Sequence, residues 1–319
     1  MLPPMADQPA IGFVERARRG LAYRRMKARE RASRTTRRAT SRWRLRPNFL
    51  ILGAQKAGTT SLHSYLSEHP AVLSASMKEV QYFNKLYDRG ESWYRAQFPL
   101  VTNARTIRRR LDVTPAVGEA TAAYLFHPRV PERVHAFDPR MNLIAVIRDP
   151  VDRAYSHFQM ELRWGRESCS FEDALAREEL EIPSELERIR NDPEYVSPNG
   201  LARTYVARGR YAEQLELWLQ FFPRTQLLVL TSEELLADPA QVMSRIASFL
   251  GIPEWRAETY PLRGARPYPP ISTEARERLA RTFEPHNRAL EALLGRELGW
   301  TRPAAGAAPL DEGGRVDAR

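Results

Sequence analysis

The hydrophobic residues of this chain are grouped in short apolar runs that alternate with stretches of helical periodicity. Three runs have the length and aliphatic composition of buried strands, at 48–52, 142–147 and 226–230. A helical pattern follows each run, at 59–68, from 150 to about 164, and up to 249–251. Apolar strands that alternate with helices are typical of a parallel sheet covered on both faces. The pattern therefore predicts a three-layer α/β fold (α/β/α) with a central parallel sheet.

Changes in composition divide the chain into three predicted parts. The step from Arg46 to Pro47 is typical of a boundary, because the residue before a proline disfavours a helix. The parts are a basic, Arg-rich N-terminal arm, a folded domain and a flexible C-terminal tail, at 1–46, 47–303 and 304–319. Residues 181–200 are polar and rich in proline, and we interpret them as an inserted loop near the active site or as an ordinary surface loop.

The net charge of +10 is concentrated in the arm. Residues 15–46 contain 13 arginines and one lysine but only two glutamates, whereas the rest of the chain is close to neutral. Such an arm can bind anionic lipid, nucleic acid or an acidic polymer independently of the folded domain, and a solvated arm that only aids solubility is the alternative. We therefore expect no nucleic acid as a specific partner, and we consider an anionic membrane surface a partner that suits the arm.

Cysteine content and hydropathy bear on the compartment. Cys169 is the single cysteine, which excludes an internal disulfide and a cysteine-rich zinc site. The chain opens without a signal-peptide pattern, and no apolar run approaches the roughly 20 residues that cross a bilayer. These features predict a cytoplasmic protein, with the arm suited to the inner face of the membrane.

The segment GAQKAGTTSL, at 53–62, joins the first strand to the first helix through a turn bounded by glycines. Such a turn directs backbone N–H groups and the positive end of the helix dipole toward a phosphate. Gly53 and Gly58 have the spacing of a Walker motif. However, Thr59 follows the second glycine, and Lys56 lies two positions before it. The segment therefore predicts a phosphate site and makes the predicted α/β fold P-loop-like, but it disfavours an ATPase.

Lysine is rare in this chain. Only four of the 49 basic residues are lysines, namely Lys27, Lys56, Lys78 and Lys85. Two of them, Lys56 and Lys78, fall in candidate motifs. A compact ammonium group can follow charge that develops on an oxygen, whereas a guanidinium requires a fixed planar geometry. We therefore interpret Lys56 as functional, with placement by chance as the alternative.

Five segments occur together in a recognisable order. They are GAQKAGTTSL at 53–62, KEVQYFN at 78–84, VGEATAAYL at 117–125, LIAVIRDPVDRAYSHF at 143–158, and a C-terminal stretch that begins RPYPPIS at 266. Over about 48 to 300 they resemble the sulfotransferases that use 3′-phosphoadenosine-5′-phosphosulfate (PAPS). The resemblance is greater to the heparan sulfate type and its bacterial relatives than to the small-phenol and steroid enzymes. It implies that 47–303 is a sulfotransferase domain that uses PAPS as the donor.

The resemblance also implies a binding site for the 5′-phosphosulfate of the donor. Its residues are Lys56, Ala57, Gly58, Thr59 and Thr60. Lys56 is then placed to neutralise the bridging oxygen as the S–O bond breaks, which is the kind of electrostatic stabilisation that is usually the largest contribution to catalysis.

Two further segments resemble the part of the site that binds the nucleotide. Arg148 and Ser156 resemble the guanidinium and hydroxyl that hold the 3′-phosphate. A helix-capping network that starts at Asp149 is an alternative that is compatible with this role. The family also has a basic glycine loop that closes over the nucleotide. This chain matches that loop loosely, without the usual lysine, at Arg263, Gly264 and Arg266.

Glu79 in KEVQYFN aligns with the proposed catalytic base of the family. A carboxylate at this position can accept the proton of an acceptor hydroxyl during in-line displacement, a role usually worth about 10²- to 10⁴-fold in rate. A surface Lys–Glu pair is the alternative for Lys78 and Glu79. Histidine is the rival base, because the small-molecule branch uses one, and His63 and His127 are the candidates.

Three positions depart from the heparan sulfate enzymes and concern the acceptor. This chain has Gln81 and Asn84 where those enzymes have a histidine and an acidic residue, and Ala120 where they have a lysine. A lost positive contact argues against a highly anionic glycan. We therefore predict a less charged, hydroxyl-bearing acceptor (or an amine), such as a saccharide, a glycolipid or a secondary metabolite.

The sequence also bears on a metal requirement and on two alternative classes of function. The histidines show no HExxH spacing and the single cysteine has no partner, so we predict no metal requirement. A P-loop nucleotide kinase or NTPase would need a lysine after the second glycine. A polyanion-binding protein that acts through the basic arm alone would not need the phosphate loop.

Overall fold

The central feature of the fold is one parallel sheet of five strands. The computed structural model describes residues 35–192, 195, 197 and 201–300. The strands are β1 (Phe49–Gly53), β2 (Val72–Ser74), β3 (Ala116–Ala120), β4 (Asn142–Ile147) and β5 (Leu227–Thr231). Their order is β2-β3-β1-β4-β5, and each neighbouring pair is parallel. The predicted α/β fold with a central parallel sheet is confirmed, and β1, β4 and β5 are the predicted strands to within one residue.

Helices cover the sheet. They are α1 (Thr59–Glu68), α2 (Tyr82–Lys85), α3 (Gly90–Arg95), α4 (Val101–Leu111), α5 (Val130–Phe137), α6 (Pro150–Arg163), α7 (Phe171–Asn191), α8 (Tyr211–Leu219), α9 (Ser232–Ala237), α10 (Pro239–Leu250) and α11 (Thr273–Leu294). Single turns of 3₁₀ helix occur at Ser41–Trp43, Tyr87–Arg89, Ala207–Gly209 and Arg224–Gln226. The predicted helices are α1, α6 and α10.

The hydrophobic core lies on both faces of the sheet. All five residues of β1 and all five of β3 are buried, because helices pack above and below these central strands. A second cluster of buried apolar residues lies between α6, α7 and α11 and includes Phe158, Phe171 and Phe283. The second cluster anchors α6, so the start of this helix is fixed relative to the end of β4.

The packed part of the chain begins before Pro47. The guanidinium of Arg37 donates to the carbonyl of Ala96 at 2.7 Å, and that of Arg44 donates to the carbonyl of Phe98 at 2.7 Å. Arg44 also forms a β-bridge with Leu100. The last residues of the predicted arm therefore pack against the folded domain, while the rest of the arm and the predicted tail at 304–319 lie outside the described residues.

The interpretation of 181–200 as a loop is wrong for its first half. Helix α7 continues to Asn191 and includes Pro183. Buried side chains such as Ile182 and Ile189 continue along one face of this helix. The packing of that face stabilises the helix by more than the helix loses through the one backbone hydrogen bond that Pro183 cannot donate. Sequence composition alone therefore overestimated the effect of one internal proline.

Candidate active site

One cavity collects the residues that the sequence predicted for the site. It has a volume of about 1580 Å³ and lies beyond the carboxyl ends of β1, β3 and β4, where ligands bind in open parallel sheets. It is lined by Lys56, Gly58, Thr59, Thr60, Glu79, Arg148, Ser156, Arg263, Gly264 and Arg266. Ala57 is the predicted residue that does not line it, because its side chain is fully buried beneath the loop.

The loop between β1 and α1 has the geometry of a phosphate site. Lys56 and Gly58 adopt left-handed backbone angles, with φ of 72° and 93°, and α1 begins at Thr59. The first N–H groups of a helix have no partner within the helix, so those of α1 are available to an anion at the cavity wall. A Cβ atom at Gly58 would lie 3.3 Å from Leu235, which explains why a small residue occupies this position.

Gly53 brings the loop close to the segment that follows β3. A Cβ atom at Gly53 would lie only 2.7 Å from the carbonyl oxygen of Ala122. Next to this contact, the N–H of Thr121 donates to Ile51 at 3.1 Å and that of Leu125 donates to Leu52 at 2.8 Å. A glycine at the end of β1 therefore allows the phosphate loop and the end of β3 to form one wall of the cavity.

Lys56 lies in a strongly positive environment. Its pKa is lowered from the ordinary value by burial and then by the positive charges of Arg163, Arg148 and Arg153. The guanidinium of Arg148 also donates to the carbonyl oxygen of Lys56 at 3.5 Å. A cluster of cations of this kind stabilises a multiply charged anion far better than a neutral ligand.

Arg148 directly follows β4 and Ser156 lies in the second turn of α6, and both line the cavity. Asp149 caps this helix by accepting hydrogen bonds from the N–H groups of Val151 and Asp152 at 2.8 and 3.2 Å, so the capping alternative is correct and coexists with the cavity position of Arg148. Burial, followed by the charge of Asp152, raises the pKa of Asp149 to about 6. The backbone carbonyl of Arg148 accepts a hydrogen bond from the hydroxyl of Tyr211 at 2.9 Å, which fixes the arginine at the end of β4.

The predicted basic glycine loop is fastened to α1. The N–H of Arg263 donates to the hydroxyl of Ser61 at 2.8 Å, and the hydroxyl of Tyr65 donates to the carbonyls of Tyr260 and Pro261 at 3.0 and 3.1 Å. Gly264 has φ of 77°, and a Cβ atom there would lie 3.8 Å from Thr60. The loop with Arg263, Gly264 and Arg266, which matches the family only loosely in sequence, therefore lies next to the phosphate loop.

Glu79 lines the cavity from the segment between β2 and α2. Its carboxylate pairs with the ammonium of Lys78 at 3.0 Å and accepts a hydrogen bond from the N–H of Ala122 at 3.2 Å. Its side chain is 35% exposed, so it is held in place but remains accessible from the cavity. The surface-pair alternative is correct for the contact itself, but this pair faces the cavity.

Neither rival histidine lines the cavity. Burial, and then the charge of Lys78, lowers the pKa of His63, whose Nε2 atom is buried without a hydrogen-bond partner. Burial lowers the pKa of His127 to about 3, with the nearby charges of Arg133, Arg208 and Arg129 acting in the same direction. The Nδ1 atom of His127 accepts the N–H of Arg129 at 3.3 Å. Both rings are therefore poorer candidates for the base than Glu79.

Half of the positive charge in the cavity comes from residues outside the sequence motifs. The described residues that line it include ten lysines or arginines but only two glutamates. The missed cations are Lys85, Arg163, Arg166, Arg203 and Arg208. All three lysines in the described part of the chain line this cavity, so the rarity of lysine was a signal that could have identified Lys85. The arginines gave no such signal, because arginine is common throughout the chain.

The described residues contain neither a metal-binding cluster nor a membrane-spanning helix. They contain no group of three or more histidine, cysteine, aspartate or glutamate side chains that could hold a metal ion. Among the helices of residues 35–300 that are described, none is both long and apolar enough to span a bilayer. The predicted metal independence and cytoplasmic location stay predictions.

Comparison with known proteins agrees with the geometry of the cavity. The family described as "Sulfotransferase domain" matches residues 46–260. The chain is 32% identical over 288 residues to the human bifunctional heparan sulfate N-deacetylase/N-sulfotransferase 3, which covers 81% of this chain and 31% of that protein. It is 28% identical over 278 residues to the mouse heparan sulfate glucosamine 3-O-sulfotransferase 6, covering 80% of this chain and 73% of that protein.

A solved structure is also similar. The crystal structure of a sulfotransferase from Alicyclobacillus acidocaldarius is 33% identical, with a TM-score of 0.60, and covers 81% of this chain and 100% of that chain. With the sheet topology, the phosphate loop and this sequence match together, the chain belongs to the sulfotransferase family. It spans about a third of the length of the N-deacetylase/N-sulfotransferase relatives, and more than two thirds of the 3-O-sulfotransferase relative.

Proposed function

We propose that this protein transfers the sulfuryl group of PAPS to a hydroxyl or an amine of a saccharide. The observation that carries the proposal is that a phosphate loop with Lys56 and an accessible carboxylate, Glu79, line the same cavity. A volume of about 1580 Å³ exceeds the 300–1,000 Å³ of a typical small-molecule pocket, so the cavity has room for a nucleotide and an acceptor together.

The donor fits the charge of the cavity. PAPS has a phosphosulfate at the 5′ position and a second phosphate at the 3′ position. The loop at 56–60 would hold the phosphosulfate through Lys56 and backbone N–H groups. Arg148 and Ser156 would hold the 3′-phosphate, and the loop with Arg263, Gly264 and Arg266 would cover the nucleotide. The ratio of ten cations to two carboxylates supports a ligand with several negative charges.

The reaction is an in-line displacement at sulfur. A bond forms between the acceptor oxygen or nitrogen and the sulfur, and the bond between the sulfur and the oxygen of the 5′-phosphate breaks. Glu79 accepts the proton that leaves the acceptor. Lys56 stabilises the negative charge that remains on the phosphate oxygen, and the arginines around it reduce the cost of that charge. Positioning and charge stabilisation together account for the catalysis, as in phosphoryl transfer.

The acceptor class is supported by the printed names of the two kinds of relatives, which are an N-sulfotransferase and a 3-O-sulfotransferase of heparan sulfate. The prediction of a less charged acceptor rests on three positions, namely Gln81, Asn84 and Ala120. Lys85, Arg203 and Arg208 also line the cavity, so the cavity keeps positive charge despite the alanine at 120. We therefore propose a saccharide acceptor, and a panel of saccharides of different charge tests this proposal.

Calorimetry tests the donor site first. The titrants are 3′-phosphoadenosine-5′-phosphate and ATP, and the proteins are the wild type, Lys56→Ala and Lys56→Arg. We expect tight binding of the bisphosphate, weak binding of ATP, and loss of affinity in the alanine variant. The arginine variant keeps the charge and tests the need for a compact ammonium. A preference for ATP, or binding unaffected by Lys56→Ala, would contradict the proposed site.

Sulfate transfer tests the acceptor. The probes are PAPS labelled in the sulfuryl group with a heparan sulfate octasaccharide, its chemically desulfated form, or a neutral oligosaccharide of N-acetylglucosamine. We expect labelled product from at least one of these saccharides and none from the Glu79→Gln variant. Transfer by wild type to none of the three, together with normal binding of the bisphosphate, would refute the saccharide acceptor but keep the donor.

A further inference from the structure

A buried carboxyl group lies behind the segment that contains Glu79. Glu119 is at the carboxyl end of β3 and is 1% exposed. The hydroxyl of Thr121 donates to Glu119 Oε2 at 2.7 Å and accepts the N–H of Gln81 at 3.2 Å. The hydroxyl of Tyr124 donates to Glu119 Oε1 at 2.8 Å and accepts the N–H of Phe83 at 3.3 Å. Two hydroxyl relays thus connect one carboxyl group to the backbone just after Glu79.

A third hydroxyl contacts Glu119 but belongs to neither relay. Tyr94, in α3, donates to Glu119 Oε1 at 3.2 Å, and its ring stacks on Tyr82 at 4.4 Å. Its hydroxyl therefore contributes to the burial of the carboxyl group without contacting the backbone of residues 81–83. Tyr94 and Tyr124 form a matched pair, since both are buried phenols that donate to the same carboxyl group.

The segment after Lys78 has a backbone that needs external support. Glu79 and Gln81 have φ of 58° and 56°, in the left-handed region that residues with a Cβ atom rarely adopt. The N–H of Glu79 donates to the carbonyl of Ala120 at 2.9 Å. The end of β3 therefore holds this segment directly through Ala120 and, one layer deeper, through Glu119.

The two carboxyl groups also interact electrostatically. Burial raises the pKa of Glu119 to about 7, and the negative charge of Glu79 acts in the same direction. The hydroxyls of Thr121, Tyr124 and Tyr94 act in the opposite direction by donating to the ionised form. The charge of Glu79 therefore disfavours the ionised form of Glu119.

We propose that Glu119 is a positioning residue that fixes the backbone of residues 79–83 through Thr121 and Tyr124, so that the carboxylate of Glu79 faces the acceptor. The proposal depends on the proposed role of Glu79. Glu119 itself does not line the cavity and touches no reacting atom. A carboxyl group with two oxygens is required because each oxygen accepts from one relay.

Hydrogen–deuterium exchange tests the relays without any acceptor. The proteins are the wild type, Glu119→Gln, Thr121→Val, Thr121→Ser, Tyr124→Phe and Tyr94→Phe, and the readout is exchange in peptides that cover residues 79–86. We expect faster exchange in Glu119→Gln, Thr121→Val and Tyr124→Phe. We expect wild-type exchange in Thr121→Ser, which keeps the hydroxyl, and in Tyr94→Phe. Equal acceleration in Tyr94→Phe and Tyr124→Phe would overturn the proposal.

Kinetics tests the consequence for catalysis, with whichever saccharide of the panel gives the fastest transfer. We expect the relay variants to lower kcat by about tenfold to a hundredfold, as misplacement of a reacting group by up to 1 Å does, with unchanged binding of the bisphosphate product. If Glu79→Gln is inactive while Thr121→Val and Tyr124→Phe keep the wild-type kcat, the positioning role is refuted alone. If Glu79→Gln keeps its activity, the proposed base is refuted instead.

Discussion

The replacement of Arg148 by alanine gives a quantitative test of the donor site. The side chain is 27% exposed at the cavity wall, and it pairs with the carboxylate of Asp152 at 3.6 Å. At this distance the pair is weak, so the guanidinium is available to a phosphate. A hydrogen bond to a charged group contributes about 1.5–3 kcal/mol. Because about 1.4 kcal/mol corresponds to a factor of ten, we expect a loss of about 10- to 100-fold in affinity.

The assay compares two nucleotides that differ only at the 3′ position. Calorimetric titration with 3′-phosphoadenosine-5′-phosphate should show the full loss in Arg148→Ala, whereas titration with adenosine-5′-phosphate should show little change. Arg276→Ala is the matched control, because Arg276 pairs with the same Asp152 at 2.7 Å but does not line the cavity. An equal loss for both nucleotides, or an equal effect of the two arginines, would refute the assignment of Arg148 to the 3′-phosphate.

Four further predictions concern stability, metal ions and the basic arm. Gly118→Ala should destabilise the fold by about 1–3 kcal/mol in urea unfolding, because its Cβ atom would lie 2.5 Å from the ring of Phe49. In Gly251→Ala the Cβ atom meets no neighbour, so only the backbone strain at its φ of 64° remains, and that variant should lose about 1 kcal/mol. Burial lowers the pKa of His157 to about 3, so the fold should lose stability as the pH falls below about 6.5, where the histidine of the unfolded chain binds a proton. The fall in melting temperature between about pH 7.5 and 5 should therefore be smaller in His157→Phe than in the wild type. An equal fall in both proteins would contradict this prediction. A chelator should leave sulfate transfer intact, and a strict metal requirement would contradict the mechanism. The full-length protein should sediment with anionic vesicles but not with neutral ones, and a chain that lacks residues 1–34 should sediment with neither kind. Sedimentation of the full-length protein with both kinds would contradict an electrostatic attraction between the arm and the membrane.

The strands that could be predicted are those with uninterrupted aliphatic sequences. β1, β4 and β5 are such runs, and a buried parallel strand requires little else. β3 was missed because Gly118 and Glu119 interrupt it, although both are buried. Gly118 is there because the ring of Phe49 leaves no room for a side chain, and Glu119 is there because three hydroxyls donate to it. Neither reason is visible without the neighbouring elements.

The candidate site divides in the same way. Residues inside compact motifs, such as Lys56 and Glu79, could be singled out because the motif fixes their spacing. Arg163 and Arg208 could not, because they reach the cavity from the end of α6 and the turn before α8. Only the packing of these helices brings distant arginines together with the phosphate loop.

The restriction of lysine to the cavity makes the primary amine a chemical marker of the site. Lys56, Lys78 and Lys85 are the lysines of the described residues, and all three line the cavity. A limiting amount of an amine-reactive reagent should therefore label few positions on this arginine-rich surface, and bound nucleotide should protect Lys56 in particular. Lysine acylation read by mass spectrometry thus becomes a footprint of ligand occupancy that requires no knowledge of the acceptor.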